Sequence, residues 1–357
     1  MKPRLRDVAE QAGVSQATVS RVLNDRPGVA HATRTSVERA MEALGYEPTG
    51  LRHRTPKPMV GLIIPELDNP TFPRFAQAIE TRLVGHGITT VLCTSTPAGL
   101  SQAEYINVLL EHGVAGVIVV SGDTADLTAD HTHYLDVAER GVPVIVINGR
   151  APDLDLPALS VDHVEAARQS VRHLLSLGHT RIGLATGPSR YVPSQEFTTG
   201  YELGLRDAGL ERYSLVSETI YSIEGGHVAG LELLELGVTA VVCASDLLAL
   251  GVVRASRELG RSVPDEISVV GFDDAGPNAY FDPPLTSSRQ PFGKMAGAVV
   301  RLLRDRIDGA GGPNTELRFR AELVVRGSTG PAPAIDRAGS DAEPGAASTQ
   351  RGAPAPH

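Results

Sequence analysis

From Arg6 to Gly45 the apolar positions recur at helical spacing; from Met59 they become unbroken runs separated by amphipathic stretches. That change of period divides the chain. In the first part, residues 6–24, RDVAEQAGVSQATVSRVLN, read as two short helices around a Gly13-Val14 turn. Stepping about 100° per residue gathers Gln16, Ala17, Ser20, Arg21 and Asn24 on one side of the second helix. Val19, Val22 and Leu23 fall on the other side, where a core takes them. Ser15 stands at the N-cap and Gly13 permits the tight bend before it. A third helical pattern follows, with Val37, Ala40, Met41 and Leu44 on one face and Gly45 to end it. Such a unit is either an ordinary αα-hairpin in a small bundle or a helix-turn-helix that presents its second helix to the major groove.

Residues 49–58, TGLRHRTPKP, are basic and Pro-containing and read as a linker. Beyond them, strand-like runs occur at 60–66, 89–95, 115–121, 143–149, 181–187, 239–245 and 267–274. Helical stretches lie between the runs. Continuous Val/Ile strands alternating with helices predict parallel sheets covered on both faces, with enough units for two. The segment 331–357 is Pro, Ala, Gly and Ser with one isoleucine, so it buries too little to order itself and is expected to be disordered. It carries no leucine heptad.

Charge sharpens the division. Residues 1–57 hold ten Lys and Arg against six Asp and Glu, whereas the other 300 hold 23 against 36. A basic small unit on an acidic body suits a nucleic-acid binder joined to a small-molecule domain. The 357 residues suffice for two or three domains. No apolar run approaches a membrane span and no secretory segment opens the chain, so a cytoplasmic protein with no membrane partner is expected. Cys93 and Cys243 sit in apolar runs and are read as buried free thiols. No phosphate loop, nucleophile elbow or metal-ligand spacing occurs, so no enzyme activity, cofactor or metal is expected. His163, His173 and His179 are read as surface or capping groups.

The motif at 6–24, the third helix and the alternating body up to Val324–Thr329 together resemble the LacI/GalR family of bacterial transcriptional regulators. The resemblance implies an N-terminal all-α helix-turn-helix headpiece plus an α/β, two-lobed, periplasmic-binding-protein-like domain of two parallel doubly wound sheets. Its expected divisions are a headpiece at 1–47 and a hinge at 48–58. The N-terminal lobe takes 59–157 and 288–317, the C-terminal lobe 158–287 and 318–330. The lobes exchange chain near Pro157, Pro284–Gln290 and Leu317–Ala321. The implied function is a homodimeric regulator of a palindromic operator in double-stranded DNA, read as a repressor, whose operator affinity is controlled by a small-molecule effector bound between the lobes.

On that reading, Gln16 and Arg21 meet adenine and guanine edges, and the Ala17 methyl meets a thymine methyl. Ser15, Thr18 and Asn24 serve phosphates or capping. The family places Ser where Ala30 precedes the third helix, a departure costing about 1 kcal/mol locally. The hinge also departs: it is about three residues short, Pro56 and Pro58 interrupt a helix, and Leu51 alone remains as a minor-groove wedge. Arg52 is placed beside it on the backbone.

Effectors in two-lobed binders lie at the carboxyl ends of the strands. The matching positions here are Asp68, Phe72, Asn148, Arg150, Asp246, Asp273 and Gln290. Carboxylates and amides there hold sugar hydroxyls, and Phe72 stacks on a sugar ring. Asp246 is alternatively a helix N-cap, and Asp68-Asn69-Pro70 a turn. Where sugar-binding members carry an Arg before Gly-Tyr, this chain has Phe197, read as effector-facing or core. A sugar or sugar derivative is the expected effector, with a nucleoside or other metabolite the alternative. A transporter-linked solute-binding protein is the third reading, and the headpiece opposes it.

Overall fold

The structure is a computed structural model that describes residues 3–23, 28–46, 57–95 and 99–334. The chain divides into two compact units, Met1–Pro58 and Met59–His357.

The first unit contains α1 (Leu5–Ala12), α2 (Gln16–Leu23) and α3 (His31–Leu44). Val8, Ala9, Val19, Val22, Val37 and Ala40 are buried together, drawn from one face of each helix. Gly13, at φ 66°, makes the left-handed bend between α1 and α2. The Ser15 hydroxyl then accepts the Thr18 N–H at 3.2 Å and caps α2. Ala30 precedes α3 with no side-chain cap, as its methyl dictates. Tyr46 N–H closes the far end on the Met41 carbonyl at 2.9 Å.

The second unit opens with β1 (Met59–Ile64), α4 (Thr71–Gly85), β2 (Thr89–Thr94), α5 (Gln102–Glu111) and β3 (Gly116–Val120). It continues through α6 (Thr132–Glu139), β4 (Val144–Ile147) and β5 (Ala158–Val161). A second lobe then runs through α7 (His163–Ser176), β6 (Ile182–Thr186), α8 (Val192–Arg206), β7 (Leu215–Glu218) and α9 (Ile223–Glu235). It is completed by β8 (Ala240–Cys243), α10 (Asp246–Glu258), β9 (Ser268–Asp273) and β10 (Thr286–Arg289). After it, α11 (Phe292–Ile307) returns to the first lobe, where Phe292 meets Phe75 edge-on at 4.7 Å. β11 (Glu316–Phe319) and β12 (Glu322–Val324) finish the two sheets.

The strand orders are β11-β5-β4-β3-β1-β2 and β12-β10-β9-β8-β6-β7. All pairings are parallel except β10 with β12. The central strands β1, β3, β4, β6, β8 and β9 are buried almost throughout, which is why they read as unbroken Val/Ile runs.

Several expectations need correction. The chain leaves the first lobe after Val161, not near Pro157, because β5 pairs in parallel with β4. The return crossing falls at Gln290, inside the expected stretch, although β10 keeps Ser288 and Arg289 in the second sheet. The third crossing, between Phe319 and Glu322, also lies where expected, with Arg318 and Phe319 still in the first sheet. The segment after Pro331 starts out packed: Ala332 is buried and its N–H donates to the Leu177 carbonyl at 2.9 Å. The remainder, 335–357, lies outside the described residues. His163 and His179 are buried rather than surface groups, and His179 bonds Thr239 and Ser268. Cys93 and Cys243 are buried free thiols. Among the described residues no helix is long and apolar enough to cross a membrane, and no cluster has the makings of a metal site.

Candidate nucleic-acid interface and effector cleft

The α2 helix carries one chemistry outward. Gln16, Ala17 and Arg21 are exposed, whereas Val19 and Val22 on the opposite side are buried. Ser15 is exposed, and its hydroxyl also pairs with the Thr18 hydroxyl at 2.9 Å, which commits both to the cap. The outward face therefore offers an amide, a methyl and a guanidinium within about two helical turns, a donor–acceptor set that base edges can match. Asn24, Leu51 and Arg52 lie outside the described residues.

The second candidate site gathers at the carboxyl ends of both sheets. Its clearest mark is backbone strain. Among the described residues, the non-glycine positions with positive φ are Ser121, Asn148, Asp273 and Asp274. They end β3, β4 and β9. Bulky side chains pay for that conformation, and it persists where surrounding contacts over-determine it, as in binding sites.

Those contacts form a chain between the lobes. Asn148 Oδ1 accepts the Val161 N–H at 3.1 Å, and its Nδ2 donates to Gln290 Oε1 at 2.9 Å. Gln290 Nε2 donates in turn to Asp273 Oδ1 at 2.5 Å. The Thr71 hydroxyl, from the start of α4 in the first lobe, also bonds Asp273. Burial pushes the Asp273 carboxyl well above the usual range, and the nearby Asp246 adds to it; Thr71 and Gln290 oppose.

Asp246 accepts from Ser287 Oγ at 2.6 Å and from Asn278 Nδ2 at 2.7 Å. Its carboxylate lies over Gly271, where an added Cβ would stand 2.4 Å from Oδ1, so β9 has no room for a side chain there. Burial raises Asp246 to about 7, with Ser287 and Asn278 opposing. The neighbouring Asp274 behaves differently. Burial pushes it up too, but the Arg326 and Arg289 guanidinium groups outweigh that and hold it below the usual carboxylate range. Arg289 Nε stands 2.7 Å away and Arg326 Nη2 2.9 Å.

Asp246, Asp273, Asn148 and Gln290 are thus brought together by the fold. Asp246 does not cap α10; Ser245 does, accepting the Leu248 N–H at 3.2 Å. Asp68 is exposed on the loop after β1, and Phe72 is partly buried against the core. Two expected residues are engaged elsewhere. Phe197 is 1 % exposed and meets Phe272 edge-on at 5.3 Å, so it is a core side chain. Arg150 donates to the Leu156 and Asn314 carbonyls at 2.9 and 3.4 Å, so it braces a loop. Conversely, Asn278 and Ser287 join the site from segments that carry no motif, and Thr71 joins it from within the loop that holds Asp68 and Phe72. Tyr221 joins them: its hydroxyl stands 2.9 Å from Ser194 Oγ and feels the Asp273 charge.

Known proteins resolve what this pairing of sites is. Residues 4–49 match the model of bacterial regulatory proteins, lacI family, and residues 171–329 match that of a periplasmic binding protein-like domain. The HTH-type transcriptional regulator reg1 of Streptomyces lividans is 49% identical over 340 residues, covering 93% of this chain and 98% of that one. Among solved structures, a CelR–cellobiose complex superposes with a TM-score of 0.69 at 32% identity, covering 91% of this chain and 99% of that one. The lac repressor dimer bound to operator and the anti-inducer ONPF superposes at 0.76 with 28% identity, covering 92% and 100%. These relatives are regulators and not enzymes. The chain belongs to the lacI family of bacterial regulatory proteins, as a DNA-binding transcriptional regulator with an effector-binding domain.

Proposed function

We propose that this chain is a cytoplasmic, homodimeric repressor of a palindromic operator, released or tightened by an uncharged sugar bound between the lobes. One headpiece reads one half-site, so a two-fold operator calls for two chains. Gln16 and Arg21 supply base contacts, Ala17 an apolar one, and Ser15 and Thr18 shape the helix start that approaches the phosphates.

The observation that carries the effector reading is the Asp246–Asp273 pair, flanked by strained strand ends and fed by neutral donors. Arginines around the strand ends are already engaged: Arg289 and Arg326 with Asp274, Arg190 with Asp126, Arg150 with carbonyls. An anionic ligand placed there meets buried carboxyls without a compensating cation, which is costly. Sugar hydroxyls instead donate to those carboxyls and accept from Asn148 and Gln290. The neighbouring CelR complex holds cellobiose, a ligand of that chemistry.

A thermal-shift screen pairing neutral sugars with their phosphorylated forms tests this, since a ligand of the folded state raises Tm. A neutral sugar is expected to raise it and its phosphate to leave it unmoved. A phosphate that stabilises more than its parent sugar rules the proposal out. Gel shifts with palindromes flanking the gene, with and without that sugar, read the DNA half.

A further inference from the structure

A second link joins the lobes beside this site. After β3, residues 122–131 loop away from the first sheet. At their start, Ser121 Oγ donates to the Asn148 carbonyl at 2.9 Å, so the loop departs from the cleft itself. At its middle it meets the segment after β6 in the second lobe. Arg190 Nε donates to Asp126 Oδ2 at 2.9 Å, and the Leu127 N–H donates to the Arg190 carbonyl at 2.9 Å. Asp126 and Tyr191 form an antiparallel bridge. The other Asp126 oxygen takes the Thr128 N–H and hydroxyl at 2.9 and 2.7 Å. The Arg190 guanidinium stacks on Tyr191 at 4.7 Å from the ring centroid. Ala125 and Pro193 close over Gly149, leaving no space for a Cβ.

The far end of the loop is pinned by a histidine. The His131 ring is buried, with Nδ1 2.8 Å from Asp153 Oδ2 and Nε2 2.8 Å from the Asp123 carbonyl. Both partners only accept. A neutral imidazole has one N–H and satisfies one of them; the imidazolium satisfies both. The charged groups facing this ring are Asp123 and Asp130 from the loop, Asp153 from the segment after β4, and His133 from α6, while Asp126 acts on it through its backbone.

We propose that residues 122–131 are a pH-sensitive clasp that holds the two lobes together at the mouth of the cleft, engaged by Asp126–Arg190 and locked by cationic His131. Its effect on effector release rests on the cleft reading above; the clasp itself does not. Burial works against the charged ring, but Asp153 and the Asp123 carbonyl outweigh it and raise His131 above the ordinary histidine value. The sign follows. The lock is fully present below the unfolded histidine value and is lost as pH rises through the raised one.

Amide exchange of the full chain without ligand reads the clasp directly at Leu127, whose N–H crosses between lobes. Its protection factor, corrected for intrinsic rate, is expected to fall about tenfold between about pH 6 and about pH 9. Arg190→Ala is expected to lower it at both pH values. His131→Gln is expected to flatten the pH dependence. Should that variant fail to fold, Asp153→Asn removes the exposed partner carboxylate and is expected to move the midpoint to lower pH. Protection that ignores pH in the parent chain, or ignores Arg190→Ala, overturns the clasp. Because no ligand is used, a misplaced effector site leaves this result standing and shows instead in the thermal-shift screen.

Discussion

The two units place their chemistry on opposite sides of their cores. In the headpiece, six buried residues support an outward helix face, and Gln16, Ala17 and Arg21 are displayed to solvent. In the body, the strand ends turn chemistry inward: Asp273 is 6 % exposed and Asp246 9 %. An outward site needs only that its helix be held and its side chains be long enough to reach. An inward site must be over-determined, because each buried polar group needs a partner and each buried charge raises the energy of the empty state. The headpiece therefore separates stability from function, and the body mixes them.

Arg21→Ala tests the first half of that contrast and should give the largest effect. A bidentate guanine contact is worth about 1–3 kcal/mol, and a two-fold operator counts it once per half-site. Competition gel shifts at fixed salt should show operator preference collapsing toward that for random DNA, which itself weakens only slightly. Since Arg21 is exposed, the headpiece should keep its fold. Undiminished discrimination would remove α2 as the reading element.

Asp273→Asn tests the second half. The variant keeps the size of the side chain but puts an amide NH2 in place of one carboxyl oxygen and so loses an acceptor, and effector affinity should fall by about 1–3 kcal/mol, roughly 5- to 150-fold. Operator binding without effector should persist. The effector-free body should become more stable at neutral pH. Asp273 has a raised folded value, so the native state holds its proton more tightly than the unfolded chain does, and stability declines as pH climbs above the ordinary carboxylate range. Asn removes that decline. A variant that loses effector binding and also melts earlier at neutral pH would show Asp273 to be structural.

The same contrast explains what the sequence could reveal. Val8, Val19, Val22 and Val37 alternate with polar positions at a helical period, so periodicity alone exposes the α2 face. The central strands show as Val/Ile runs because both their faces are buried. β5 (ALSV) and β10 (TSSR) escape notice because they are short and partly polar, and Ser287 and Ser288 are buried by neighbours distant in the chain. That is why the first lobe boundary falls at Val161 and not near Pro157. Asp246 and Asp273 stand out as acids ending apolar runs, but Thr71, Asn278 and Ser287 do not. Their roles exist only once topology brings residues 71, 246, 278 and 287 to one end of the sheets. Phe197 takes the core alternative and Arg150 leaves the cleft for the converse reason: each matched a position, and local packing claimed the side chain.

A pH titration sharpens the body's half further, with a smaller effect. Burial raises Asp246 to about 7, so the native state takes up a proton that the unfolded chain releases near pH 4. Stability should decline as pH rises from about 4 through about 7 and level off above it. Asp246→Asn should flatten that part of the Tm profile. A slope that survives the substitution assigns the proton to Asp273 or another group.

The smallest effect belongs to the headpiece, and it asks whether stability there is independent of function. Ala30 occupies the N-cap of α3 at φ −61° and ψ 145°, an extended conformation that suits a capping side chain. Its methyl leaves the first N–H groups of the helix without a side-chain acceptor. Ala30→Ser should supply one, as Ser15 already does for α2, and stabilise the unit by about 0.5–1 kcal/mol. Exchange at the Val37 amide, inside α3, should slow by roughly two- to fivefold, while amides in the body stay unchanged because the two units are separately packed. Operator affinity should also stay unchanged, since Ala30 lies outside α2. If affinity shifts along with exchange, DNA binding draws on the helix start before α3, and the outward site is as entangled with its scaffold as the inward one.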